Sequence, residues 1–178
     1  MNNSAYSGLP SAILAIAQRE AQGILDDVAG VAAVVIATVD GFDVASVVRN
    51  GLDATRIAAL ASSIAAIGEV VSGEAKLGRN KSVTVDTDNG VAAIYSVHRN
   101  DVGLVINVVA SGDAIIAQVN YRTAASARAL SAALALRIRQ QLSRTKHVVR
   151  DASTVIFISR QNFRNSKWQI SSKPSTSS

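Results

Sequence analysis

The stretch GVAAVVIATVDGFDVASVV, residues 30–48, limits the possible folds more than any other part of the chain. Val31 to Val39 is rich in β-branched residues, and Phe42 to Val48 resumes the pattern after Asp40-Gly41. Asp-Gly between two such runs is the strongest short hairpin signal, because a type I′ turn needs positive φ at both central residues. That register sets Val39 opposite Phe42 and Ala37 opposite Val44. Val34, Ile36 and Thr38 then point to one side, with Val35, Ala37 and Val39 to the other. Both sides are apolar along the first strand. An antiparallel strand with one wet face would alternate with polar residues. This strand is therefore expected inside a sheet covered on both faces.

The flanking sequence supplies the covers. Residues 9–28 read as a helix, with Pro10 in its first turn, Gly30 as its stop and Ile13, Ile16, Ala17, Ile24 and Val28 as its apolar stripe. Asp53 is a candidate N-cap for a second helix. There Ile57, Leu60, Ala61, Ile64, Ile67, Gly68 and Val71 form one stripe, and Gly73 and Gly78 close it. The other faces are small: Ala58, Ala59, Ser62, Ser63, Ala65, Ala66 and Ser72. They suit either close approach of another helix or simply alanine's helix propensity. Strands follow at 82–86, 91–97 and 103–109, with Thr87-Asp88-Asn89-Gly90 as a turn. A third helix starts after Ser111-Gly112-Asp113, with a stripe of Ile116, Val119, Thr123, Ala127, Leu130, Leu134, Ile138 and Gln141. Continued to Leu142 it would be ~45 Å long at 1.5 Å per residue, so it must overhang the sheet. The expected fold is an α/β (α+β) sandwich. It has a single five-stranded antiparallel sheet with helices on both faces, ordered helix-strand-strand-helix-strand-strand-strand-helix.

Chemistry is sparse. The chain has 178 residues and no cysteine, which excludes disulfides and thiolate chemistry. His98 and His147 have no local partners for a metal site or triad. Gly73 to Ser82 resembles a P-loop, but Lys81 comes two residues late, and the segment follows a helix and opens a strand, the reverse of the phosphate-binding arrangement. A turn explains Asp40. Asp26-Asp27 reads as a solvated pair at a helix end, and no G-x-S-x-G elbow occurs. No enzyme activity and no cofactor are expected. The N-terminal region lacks a basic start and a long apolar run, so neither a signal peptide nor a membrane span is expected, and a cytoplasmic location is.

The net charge of +5 is unevenly placed. Residues 137–178 hold nine Lys/Arg and one acidic residue, Asp151, so the preceding body is mildly acidic. Arg160, Arg164, Lys167 and Trp168, interleaved with Phe157 and Phe163, are candidates for contacting an anionic surface, either membrane or nucleic acid. A solubilising tail or an arm packed on a partner would look the same. SSKPSTSS at the C-terminus reads as disordered.

Val28-Ala-Gly-Val31, Asp40-Gly41, Phe42-Asp-Val-Ala-Ser46 and Ala58-Ala-Leu-Ala-Ser-Ser63, in this order, resemble the roadblock family, which includes the roadblock-type dynein light chains and bacterial mutual gliding protein B. The resemblance covers about residues 10–140. It implies a roadblock-like domain over 1–142 and a basic extension over 143–178 to which no family role transfers. It implies a non-enzymatic regulator or scaffold for Ras-like small GTPases that forms homodimers or heterodimers, with no small-molecule substrate. Dimers would join through the strand Ser82-Val83-Thr84-Val85-Asp86 and the second helix, 53–72, for which Ala58, Ser62, Ala65 and Glu69 are the candidate contacts. An exposed strand of good β-formers without proline is a pairing hazard that dimerisation removes.

Overall fold

The computed structural model describes residues 9–49, 51–97 and 103–136. The elements run α1 (Ser11–Asp27), β1 (Val31–Thr38), β2 (Asp43–Val48), α2 (Ala54–Glu74), β3 (Ser82–Thr87), β4 (Gly90–Val97) and β5 (Leu104–Ser111). A further helix, α3, begins at residue 116 and continues to the last described residue, 136. The strands form one antiparallel sheet in the order β2-β1-β5-β4-β3. Element order and sheet type are those expected from the sequence.

Strand order explains the length of α2. It connects β2, at one edge, to β3, at the other. Four interstrand steps span ~19 Å. A 21-residue helix is ~31 Å long, enough to cross the whole sheet diagonally.

The two faces are unequal. On one, α1 and α3 close over a single large core. Ile13, Ala17, Ile24 and Leu25 of α1 meet Val34, Ile36, Leu104, Ile106 and Val108 of the sheet, with Val119, Leu130 and Leu134 of α3. On the other, α2 meets the sheet in two small clusters. Ala58 packs with Val35 and Ala37, and Ala61 and Ala65 pack with Ile94 and Val105. β1 therefore sends Val34 and Ile36 one way and Val35 and Ala37 the other, as its two-sided apolar pattern requires.

The hairpin differs from expectation near its tip. Thr38 N donates to Phe42 O at 2.9 Å and Gly41 N donates to Thr38 O at 2.9 Å. The loop thus has three residues, Val39, Asp40 and Gly41. Gly41 has φ +87°, while Lys76 is the non-glycine with positive φ among the described residues. Asp40 is therefore not left-handed, and a type I′ turn is ruled out. This is the three-residue hairpin with a left-handed glycine. Val39 does not pair with Phe42, because its N–H donates to Gly103 O at 3.2 Å and stays with β5. Ala37 sits opposite Asp43, and the pairing shifts between Ile36 and Ala37. Beyond this bulge, Ile36↔Ala45 to Ala33↔Val48 follow the expected register.

Helix ends also shift. Pro10 is the N-cap of α1 rather than a first-turn residue. Asp53 caps α2 as expected, its Oδ1 accepting from Thr55 N and Arg56 N. Gly73 does not stop α2. The helix runs on to Glu74 and closes when Leu77 N donates to Ser72 O and Lys76 N to Gly73 O, a Schellman arrangement with Lys76 in the left-handed position at φ 56°. The part of α3 expected at 137–142 lies outside the described residues.

Candidate functional site

α2 packs by its smallest side chains. Its buried residues are Ala58, Ala61, Ser62 and Ala65. Short side chains bring the helix axis close to the sheet, close enough for Ser62 Oγ to donate to Thr38 O at 2.8 Å. On the same flank, Glu69 Oε2 accepts from Asn80 N at 3.0 Å, fastening α2 to the approach to β3.

The large apolar side chains consequently face elsewhere. Ile57, Leu60, Ile64, Ile67 and Val71 recur at alternating steps of three and four. That spacing makes a straight seam of ~21 Å at 1.5 Å per residue. Ile57 and Ile64 are half-buried at its sheet-side margin. Leu60, Ile67 and Val71 are 56, 63 and 57 % exposed, and neighbouring Val70 is 65 % exposed. The apolar stripe read from the sequence is therefore largely a surface. The expectation for Ala58, Ser62 and Ala65 is corrected with it: these three face the chain's own sheet and are closed to a partner. By length and composition alone α2 would qualify as a membrane span. Its docking on the sheet makes it a layer of the domain.

Among the described residues, β3 is the open edge beside this seam. Gly68 of α2 comes so close to β3 that a Cβ there would lie 2.5 Å from Val83 Cγ2. Ser96 N donates to Lys81 O, and the pairing alternates from there along Ser82↔Tyr95 and Val83↔Ile94. Val83 and Val85 thus spend their backbone groups on β4, while Ser82, Thr84 and Asp86 direct theirs outward. Val83 is half-buried and the other four expected edge residues are exposed. The apolar surface continues from Ile64 and Ala92, which share a cluster, to a shallow depression of about 300 Å³ lined by Val85, Thr87, Gly90, Ala92 and Val109. Seam, sheet floor and strand edge form one contiguous surface.

A second polar constellation escaped the sequence reading. Glu20 of α1 is buried, and its Oε2 accepts from Ser126 Oγ at 2.9 Å and Arg122 Nη1 at 3.4 Å. Arg122 Nε donates to Asp27 Oδ2 at 2.7 Å. Gly23 leaves the notch, since a Cβ there would strike Arg122 Nη2. Burial works against the Arg122 charge, but the Asp27 and Glu20 carboxylates outweigh it and raise its pKa. Asp27 is thus a solvated carboxylate that also pairs with Arg122, and Asp26 accepts from Gln22 Nε2 at 2.9 Å. Burial also pushes the Asp43 carboxyl up, against a hydrogen bond from Ser46 that lowers it. The network bridges α1 and α3 and serves to hold them. No cluster of three or more His, Cys, Asp or Glu suited to a metal occurs among the described residues. His98, His147, Arg160, Arg164, Lys167 and Trp168 lie outside the described residues.

The family model for the Roadblock/LC7 domain matches residues 18–110. The chain belongs to the Roadblock/LC7 family. The match runs from α1 to the end of β5 and so contains both α2 and the β3 edge. Among solved structures, a Roadblock/LC7 domain from Streptomyces avermitilis aligns with TM-score 0.58 and 22 % identity, covering 66 % of this chain and 96 % of that one. MglB in a tetrameric arrangement aligns with TM-score 0.62 and 16 % identity, covering 69 % and 90 %. The gliding protein MglB from Thermus thermophilus aligns with TM-score 0.60 and 14 % identity, covering 69 % and 91 %. At these identities the likeness establishes the roadblock fold. No curated protein matches the sequence. Family membership supports a regulatory or adaptor role exercised through protein–protein contact.

Proposed function

We propose that this roadblock protein is a non-enzymatic, dimeric regulator or scaffold that pairs through β3 and the α2 seam and binds a Ras-like small GTPase. The observation that carries the reading is the continuity between an exposed apolar seam and an unpaired strand edge. A subunit with both features side by side has a strong incentive to pair, since one partner covers both. The MglB structure with a tetrameric arrangement is a precedent for self-association in this fold. The GTPase partner rests on family membership and on an architecture built for contact.

The test is the solution mass of the full chain beside Thr84→Pro. Thr84 directs its N–H outward, so proline there removes an intersubunit donor and leaves the β4 ladder intact. Val83→Pro would instead break β3 from β4. A wild-type dimer and a folded Thr84→Pro monomer are expected. A monomeric wild type defeats the pairing. Pull-down with purified small GTPases in both nucleotide states then tests the partner, and failure to retain any in either state removes it.

A further inference from the structure

The α2–sheet interface contains a residue that does not belong in an apolar contact. Asn107 lies at the middle of β5, paired laterally with Val35 of β1 and Ile94 of β4. Val35 belongs to the cluster under Ala58, and Ile94 to the cluster under Ala61 and Ala65. Cross-strand partners share a face, so Asn107 stands beneath α2 and between these two clusters. It is 6 % exposed, and its Oδ1 has no hydrogen-bond partner. A buried amide oxygen left unpaired opposes docking of whatever covers it.

The cover itself is thin. Three alanines and one serine are the fully buried residues of a 21-residue helix, with Ala54, Ile57 and Ile64 packed part-buried at the margins. The opposite face of the sheet carries one uninterrupted core with two helices on it. The apolar contact under α2 is thus small, divided and interrupted by an uncompensated polar group. Local free energy of opening follows buried apolar contact.

We propose that α2 is the detachable layer of the domain, undocking from the sheet as a unit in the isolated subunit without global unfolding, and that a partner covering its exposed seam holds it down. The undocking follows from Asn107 and the two small clusters alone. The restraining partner rests on the self-association reading above. Assembly is then coupled to docking: an interface competent only when α2 is docked has its apparent affinity reduced by the docked fraction.

Hydrogen exchange on the full chain tests both halves. At protein concentrations below self-association, α2 amides should exchange roughly ten-fold or more faster than those of β1 and β5. Equal rates in all three elements would overturn the proposal, because α2 would then open only with the whole domain. Asn107→Val replaces the orphaned amide with a side chain suited to a strand centre and should slow α2 exchange. A folded Asn107→Val protein with unchanged α2 rates would remove Asn107 as the cause. Raising the concentration until the mass doubles should slow α2 exchange. Unchanged α2 exchange in a proven dimer overturns the coupling. A monomer at every concentration defeats the self-association reading and leaves the opening to the comparison between elements.

Discussion

Arg122 shows how one side chain ties two helices that the sequence gives no reason to associate. Its guanidinium joins Glu20 and Asp27 of α1 to Ser126 of α3. The two carboxylates are not equivalent. The Glu20 side chain is 12 % exposed and that of Asp27 59 %. Removing Arg122 leaves the buried Glu20 with only Ser126 and the exposed Arg19, whose Nη2 lies 3.4 Å from its Oε1, whereas removing Asp27 loses a mostly solvated pair. Arg122→Ala is expected to cost about 2–3 kcal/mol, somewhat below the loss for a fully enclosed pair. Asp27→Ala is expected to cost ~0.5 kcal/mol. Urea unfolding midpoints with unchanged slopes would check the ranking, and equal losses would contradict it. In the sequence, the signal was a carboxylate, a glycine and a second carboxylate at Glu20, Gly23 and Asp27, recurring on one helix face. Nothing in that pattern named Arg122, which stands 95 residues from Asp27.

At the scale of elements, α2 separates helix formation from helix burial. Its 3–4 periodicity was legible, and so was its Asp53 cap. Which face goes inward was not, because both the large seam and the small face are apolar enough to dock. The small face wins where Ser62 reaches Thr38 O and Glu69 takes Asn80 N. This assignment has a direct consequence. Ala61→Leu forces three extra carbons into a helix–sheet contact and should destabilise the subunit by about 1–3 kcal/mol. Ile67→Ser lies on the exposed seam and should change subunit stability by less than ~0.5 kcal/mol while weakening self-association. Unfolding and sedimentation on both variants would separate the roles. A reversed pattern would mean that the large seam is the buried one.

The described domain is a three-layer sandwich with one thick and one thin side. A subunit of this kind gains stability from any partner that binds only the folded state. The midpoint of thermal unfolding should therefore rise with protein concentration in the wild type and stay constant in Thr84→Pro. A wild-type midpoint independent of concentration would argue that the β3 edge and the seam remain bare. The open edge is also the reason such a chain is safer paired than alone.

The sequence by itself determined the elements and their order. Two-sided apolar character in β1, period-two and period-3.6 patterns, Gly30 and the Asp53 cap are all local signals, set by backbone sterics and by alternation between faces. It also determined what chemistry is missing, since thiolates are absent by composition. Only the tertiary structure decided which apolar face of α2 became core. It likewise decided that the hairpin takes a third loop residue, because Val39 is held by Gly103 of the distant β5 approach. The Glu20–Arg122 bridge and the placement of Asn107 between two apolar clusters depend on strand order and helix crossing. Those are set by competition among contacts far apart in the chain, and local periodicity carries no information about which contact prevails.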